Sequence, residues 1–360
     1  LDSLRRVMLN DPSAKVRGTA AFALSAWTWK VGKDALLEAL AAEKDPEALV
    51  LILHSLARTY AREEYERYFP FLKHSDPRVR AQAALTLDMI NRREAVDSII
   101  PLLDDPDVGV RNIALQALTR MNSENAARLG LRFVDDPDPS ARALAYRLVG
   151  SVRFPERNDA ILKGFRDSDD LVRCAVADAS LVMRDTSVVN RILPTLAADP
   201  SAAFVQRALR AVAEHIHASP TEYVVPLLSH PDPTVRATAV NALCNRRDTP
   251  CWREIAMAAD DPDWRVRAAI FDAFDKSVKF IEPDTQIVFP MTRRLLEDPA
   301  PRVRARALQT YVTYGFPGWD LHLNRLYHDS SDFVVAMAIQ LIGTLYINLY
   351  VDSLYQLYGE

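Results

Sequence analysis

Apolar residues recur along this chain at helical spacing, in segments that follow one another at a nearly constant interval. The segment Val110–Leu118 reads VRNIALQAL and Val235–Leu243 reads VRATAVNAL, so Val, Ala and Leu fall on one face of a helix. A polar turn such as DDPDVGVR at 104–111 leads into this helix, and a second amphipathic helix follows a short polar break. The pattern predicts a repeating unit of two helices.

The unit recurs along the whole chain. The position held by Arg111 returns at residues 17, 49, 80, 111, 142, 173, 205, 236, 267, 304 and 335. All but one of the intervals are 31 or 32 residues. A fixed period of this size predicts a single array over residues 1–360, with about eleven two-helix units, rather than separate globular domains. The one interval of 37 indicates an insertion near residues 275–290, and residues 345–358 predict an aromatic C-terminal helix.

The acidic residue of each turn and the Arg that follows it predict a structural joint. Asp can accept the unpaired N–H groups of the first helical turn, and Pro is tolerated there. At constant spacing, Asp and Arg can pair within one unit or between adjacent units, and each exposed pair would contribute about 0–1 kcal/mol. The predicted ladder comprises Asp11, Arg17, Asp76, Arg80, Asp105, Arg111, Asp136, Arg142, Asp167, Arg173, Arg236, Asp261, Arg267, Asp298 and Arg304.

The pattern D-P-x-x-x-V-R-x-x-A-A-x-A-L resembles the HEAT-repeat family, in particular its short variant named after phycobilisome lyases. The resemblance covers essentially the whole chain and implies an all-α, right-handed α-solenoid whose Val-Arg helices line a concave face. The variable positions of those helices then form a candidate groove of Phe22, Leu51, Leu85, Ile113, Arg120, Leu144, Arg147, Arg207 and Arg210. Apolar residues at one end and arginines further along suit a partly acidic peptide. The alternative is that these side chains are solvated or pack against their neighbours.

The C-terminal region is unusually apolar. Phe333–Val351 carries no charge over 19 residues, but polar Gln340 and Asn348 and its match to the repeat favour a buried helix pair over a membrane span. The aromatic helix that follows predicts an interface with other parts of a larger protein or with a second copy of the chain. Because the sequence begins with Leu1 rather than Met, we expect a fragment or processed form, with membrane contact only through a larger parent protein. The residues of this predicted interface are Tyr346, Tyr350, Leu354 and Tyr358.

Composition and motifs narrow the function classes. The net charge of −4 argues against a dedicated nucleic-acid binder with a large basic surface. The motifs H-E-x-x-H, G-x-S-x-G and G-x-x-x-x-G-K-[ST] do not occur, and His215 and His217 alone give a weak metal signal. We therefore predict no catalytic residue, no metal and no cofactor. Three scattered cysteines without a C-x-x-C pair favour reduced thiols and a cytoplasmic location.

Together these patterns predict a non-enzymatic scaffold or adaptor that presents a curved surface to a partner protein or peptide. One alternative is a lyase-like or chaperone-like factor that acts on a cofactor-bearing protein, because such relatives carry no short catalytic signature. A second and less favoured alternative is nucleic-acid binding through the Arg-rich middle of the chain, which would weaken steeply with salt.

Overall fold

A computed structural model describes residues 2–27, 31–59, 62–183, 185–215, 221–244, 251–277 and 284–358 of the chain. Every regular element within these ranges is helical. The chain divides into two compact units, Leu1–Met183 (unit 1) and Arg184–Glu360 (unit 2).

The helices of unit 1 form two layers. They are α1 (Asp2–Asn10), α2 (Ala14–Trp27), α3 (Val31–Ala42), α4 (Pro46–Arg58), α5 (Pro77–Ile90), α6 (Val96–Ile99), α7 (Val108–Arg120), α8 (Glu124–Gly130), α9 (Pro139–Ser151), α10 (Arg157–Gly164) and α11 (Asp170–Met183). Short 3₁₀ helices complete the unit at Arg62–Lys73, Arg93–Ala95, Ile100–Asp104 and Leu131–Phe133.

The helices of unit 2 also form two layers. Its α-helices are α12 (Thr186–Ile192), α13 (Ala202–His215), α14 (Thr221–Val224), α15 (Pro233–Cys244), α16 (Trp252–Met257), α17 (Trp264–Ser277), α18 (Thr285–Leu295), α19 (Pro301–Thr313), α20 (Trp319–Leu326) and α21 (Asp332–Tyr358). Its 3₁₀ helices are Leu193–Ala198, Val225–Ser229 and Ala258–Asp260.

The Val-Arg helices form one layer in each unit. In unit 1, α2, α4, α5, α7, α9 and α11 pack each on the next, and the remaining elements form the second layer. The apolar stripe faces the interior, so Val110, Ala114 and Leu118 of α7 are fully buried. In unit 2 the corresponding layer is α13, α15, α17, α19 and α21. The structure thus has the repeating two-helix units that the periodicity predicts.

Small residues set how closely neighbouring helices approach. A Cβ atom on Gly150 of α9 would lie 2.7 Å from the Cβ of Ala179 on α11, so only glycine fits this contact. Proline has a separate effect in the second layer. Pro101, Pro194 and Pro226 each lie near the start of a 3₁₀ helix that follows a short α-helix, which is the bend that proline imposes.

The C-terminal region forms one helix rather than a helix pair. Helix α21 runs without interruption from Asp332 to Tyr358, and residues 345–358 are its second half. Its first half packs on α19 and α20 through buried Val334, Ala338 and Leu341. Across the part of the chain that is described, none of the helices has the length and apolar character needed to cross a membrane.

Candidate functional site

The turn that enters α7 contains two acidic positions with different roles. Asp107 lies after the Pro of its turn and caps α7, because its carboxylate accepts a hydrogen bond from the Val110 N–H at 3.0 Å. Asp105 lies before the Pro and accepts from the Asp107 N–H at 2.9 Å, which holds the turn itself. One edge of the Asp105 carboxylate faces the preceding repeat.

An arginine of the preceding repeat pairs with this edge of the carboxylate. Arg142 of α9 donates through Nε and Nη2 to the two carboxylate oxygens of Asp167, both at 2.9 Å. Its Nη1 donates to the carbonyl oxygens of Asp136 and Pro137 in its own turn, at 2.8 and 3.3 Å. One guanidinium thus ties its own turn to the next turn along the array. We call each such Arg–acid pair a rung.

The same arrangement recurs in both units. The acidic partner usually follows the arginine by 25 residues, and the paired atoms lie 2.6–2.9 Å apart. The rungs of unit 1 are Arg17–Glu43, Arg80–Asp105 and Arg142–Asp167, and those of unit 2 are Arg236–Asp261, Arg267–Asp298 and Arg304–Asp329.

The structure differs from the expected ladder at several positions. Asp76 caps α5 and pairs with Arg78, two residues on, rather than joining two repeats. Arg111 bonds only to the carbonyl oxygens of Asp105 and Pro106, and within the described residues no ion pair joins it to Asp136.

Asp11 and Arg173 are the first and the last of the predicted ladder residues in unit 1. Asp11 holds its own turn by accepting from the Ser13 N–H at 2.9 Å. Arg173 donates to the Asp167 carbonyl at 2.8 Å and to the Asp170 carboxylate. Two rung acceptors, Glu43 and Asp329, are absent from the ladder predicted from the sequence. A search for an acidic residue 25 or 26 places after each repeat arginine would have found both.

The rungs are more enclosed than exposed surface pairs. Their arginines retain 11–17% of side-chain exposure and their acidic partners 3–12%. The hydrogen bonds from Arg17 lower the pKa of Glu43 to about 2. Burial raises the pKa of Asp167, but the hydrogen bond from Arg142, with other contacts, outweighs it and the net shift is downward. Removing one partner of such an enclosed pair is therefore expected to cost more than breaking an exposed pair.

The Val-Arg helices of unit 1 also have an open face, which we define by their exposed and half-exposed side chains on the side away from the second layer. One repeat position, five residues after the rung position, places Phe22, His54, Leu85, Gln116, Arg147 and Asp178 on successive helices. The rings of Phe22 and His54 stack with centroids 6.1 Å apart. Arg147 and Asp178 lie 3.8 Å apart. Adjacent repeats therefore contribute neighbouring side chains to one surface.

A second row of the open face lies one helical turn further along. It occupies the position nine residues after the rung position, as in Arg58, Met89 and Arg120 on α4, α5 and α7. Met89 is 42% exposed, and the Arg120 side chain is 59% exposed. The guanidinium of Arg58 lies over the Phe22 ring, with its Cζ 5.2 Å from the ring centroid.

Beneath this row lies a buried carboxylate. Asp88 is 2% exposed and accepts a hydrogen bond from Arg120, while its Oδ1 has no hydrogen-bond partner. Burial raises the pKa of Asp88, and the hydrogen bond from Arg120 partly offsets this shift. Sequence reasoning missed this group, because Asp88 stands in a helical stripe next to the exposed Met89 and no pattern marks it as buried.

The predicted groove residues occupy different environments. Phe22, Arg120 and Arg147 are exposed on the open face, whereas Leu51, Leu85, Ile113 and Leu144 are half-buried. Leu51 fills the space that a side chain at Gly18 would need, so it packs between α2 and α4. Arg207 and Arg210 are exposed on α13, in unit 2.

The predicted C-terminal interface lies outside the described side chains. Its residues Tyr346, Tyr350, Leu354 and Tyr358 belong to the part of α21 whose side chains are not described. The same holds for His215 and for His217. Among the residues whose side chains are described, no three His, Cys, Asp or Glu residues come together in a group that could hold a metal ion.

Comparison with known proteins identifies the type of repeat and the fold. A family model of HEAT repeats matches residues 65–129 and 189–274. These two ranges contain HEAT repeats, and the fold is an all-α solenoid. The match does not distinguish the short phycobilisome-lyase variant, which stays a prediction. Among curated protein sequences, none matches this chain.

Solved karyopherin structures share this HEAT-repeat fold. Kap121p matches over 94% of this chain and 44% of its own, with a TM-score of 0.56 and 14% identity. Kap121p bound to the extreme C-terminus of the phosphatase Cdc14p gives 0.55 and 14%, over 94% and 45% of the two chains. A structure of Kap95p with RanGDP gives 0.60 and 13%, over 94% and 55%. The chain spans about half the length of these proteins, and at such identity the likeness shows the fold alone.

Proposed function

We propose that this HEAT-repeat chain is a non-enzymatic scaffold that binds a segment of a partner protein along the open face of unit 1. The observation that carries the proposal is the alignment of equivalent side chains on successive helices. From Phe22 to Asp178, one repeat position supplies a continuous series of exposed or half-exposed groups.

The rungs support this proposal by fixing the helices that carry the open face. Arg80 and Arg142 each make a two-pronged ion pair and two carbonyl contacts across a joint, so the spacing of their helices is set before any partner binds. A preorganised surface loses less conformational entropy on binding. The geometry therefore favours recognition by a firm surface over catalysis, which would require convergent reactive groups.

The class of partner follows from the same surface. Its groups are a stacked aromatic pair, half-buried aliphatic side chains and several arginines, which suit a peptide segment with apolar and acidic residues. Kap121p, a protein of similar fold, is bound to the extreme C-terminus of Cdc14p in one of the structures above. Binding of a protein segment by this chain is consistent with that use of the fold.

Site-specific photo-crosslinking tests the proposal. A photoreactive phenylalanine analogue at Gln116 on the open face is compared with the same residue at Asn125, an exposed position on α8 in the second layer. In native extract we expect a protein adduct at the first position and none at the second. Equal adducts at both positions, or adducts with nucleic acid alone at Gln116, would show that the open face is not a protein-binding surface.

A further inference from the structure

The second row of the open face has a repeating chemical order. Arg58, Met89 and Arg120 stand on three successive helices, α4, α5 and α7, at the same position of each repeat. The row therefore reads cation, apolar group, cation. We call these three residues the Arg-Met-Arg row.

Both arginines of the row have N–H groups that are available to a ligand. No carboxylate pairs with Arg58 among the described residues, and its guanidinium rests on the Phe22 ring. Arg120 uses Nη2 to bond Asp88, which leaves most of its five N–H donors directed elsewhere. Because the Arg120 side chain is 59% exposed, those donors are accessible from the open face.

The spacing of the row specifies its ligand. Packed helices lie about 8–10 Å apart, and an extended peptide advances about 3.3 Å per residue. A strand that crosses the helices therefore meets a new helix roughly every three residues. From this match we propose that the Arg-Met-Arg row binds an extended acidic segment of the form acidic-x-x-apolar-x-x-acidic. This inference rests on the proposed function and adds the identity of the partner segment.

The observations favour a peptide over a nucleic acid for this row. Its central residue is Met89, an apolar and flexible side chain that suits an aliphatic or aromatic partner residue. The net charge of the chain is −4, whereas a nucleic-acid binder relies on a large excess of basic charge. Two acidic residues of the peptide, spaced to reach from α4 to α7, would contact both guanidinium groups. Guanidinium groups bind carboxylates in a two-pronged geometry.

Fluorescence anisotropy with synthetic peptides tests the row directly. The probe is a labelled 13-residue peptide with Glu at positions i and i+6, Leu at position i+3, and Ser or Gly elsewhere. The control peptide has the same composition, but its two Glu residues are at positions i and i+4. We expect the first peptide to bind the full chain at least about tenfold more tightly, a difference of about 1.4 kcal/mol. Equal affinity for the two peptides, or no saturable binding at millimolar protein, would overturn the proposal.

Protein variants show whether binding occurs at the row. We expect Arg58→Gln to weaken the peptide about tenfold, and Met89→Glu to abolish binding by placing a competing carboxylate between the two arginines. Arg78→Gln is the matched control, because it removes one positive charge at the opposite end of α5 and should leave affinity within about twofold. Met89→Glu replaces an exposed side chain and keeps Arg58, Arg120 and Asp88 in the chain, so we expect the fold to be retained. Similar losses in all three variants would overturn the assignment to this row.

The two experiments separate the scaffold proposal from the choice of segment. Protein adducts at Gln116 without peptide binding would keep the open face as a protein-binding surface and refute the acidic segment. Binding of a labelled oligothymidine in place of the peptide, lost in Arg58→Gln, would refute the peptide inference and count against the scaffold proposal.

Discussion

Replacing Arg142 by Met should destabilise unit 1 much more than replacing Arg111 by Met. The two arginines occupy the same position in adjacent repeats, on α9 and α7, and both donate to carbonyl oxygens of their own turn. Only Arg142 also pairs with a carboxylate of the next turn, Asp167. The comparison therefore isolates the rung from the local hydrogen bonds of the arginine.

The size of the effect follows from the interactions that each substitution removes. Removing one partner of a buried ion pair costs about 3–5 kcal/mol, mainly because the other charge is left uncompensated. The side chains of Arg142 and Asp167 retain 15% and 12% exposure, so water can reach the remaining carboxylate and we expect about 2–3 kcal/mol. Arg111→Met removes hydrogen bonds to carbonyl groups that water can replace, at a cost of about 1 kcal/mol.

Urea unfolding followed by circular dichroism gives the midpoint for each variant, and hydrogen exchange shows whether the added opening is local to the turn at residues 135–138. Adding Asp167→Asn to Arg142→Met should recover part of the lost stability, because the uncompensated charge is removed. Equal losses for Arg142→Met and Arg111→Met would refute the role assigned to the rung. No recovery in the double variant would show that the cost lies in packing.

Four further outcomes follow from the structure. The pKa of Glu43 is lowered to about 2, so its stabilising effect should be complete above its ordinary pKa and lost as the pH falls from about 5 to 2. The difference in unfolding free energy between the parent and Glu43→Gln, measured at several pH values, should therefore shrink over that range. Asp88 should behave in the opposite sense, because its pKa is raised: Arg120→Gln should destabilise the chain at pH 7, and the loss should diminish toward pH 4 as the carboxyl takes up a proton. Gly150→Ala should lower the thermal midpoint by forcing α9 and α11 apart, at a cost of about 1–3 kcal/mol. Gly343→Ala, at a helical site with open space, should instead stabilise by about 0.5–1 kcal/mol.

The fold was predictable because it depends on a pattern that every repeat carries. Buried Val, Ala and Leu at fixed helical spacing identify the Val-Arg helices, and the turn residues mark where each helix begins. The partners of the arginines were less predictable, since Arg17 reaches Glu43, which takes the place of the first Asp of the turn. Asp88 was not predictable at all, because its burial depends on how α5 packs between α4 and α7.

The rung across the insertion shows what holds one repeat to the next. Arg267 pairs with Asp298 at 2.6 and 2.9 Å although 31 residues separate them, where the other rungs span 25 or 26. Part of the predicted insertion, residues 278–283, lies outside the described residues. The turn geometry at both ends is nevertheless the same as elsewhere, since Arg267 also donates to the Asp261 carbonyl at 2.7 Å and Asp298 accepts from the Ala300 N–H at 2.8 Å. The joint is therefore specified by the two turns it connects and not by the length of chain between them. None of the rungs includes a side chain of the open face, so substitutions on that face leave the joints unchanged.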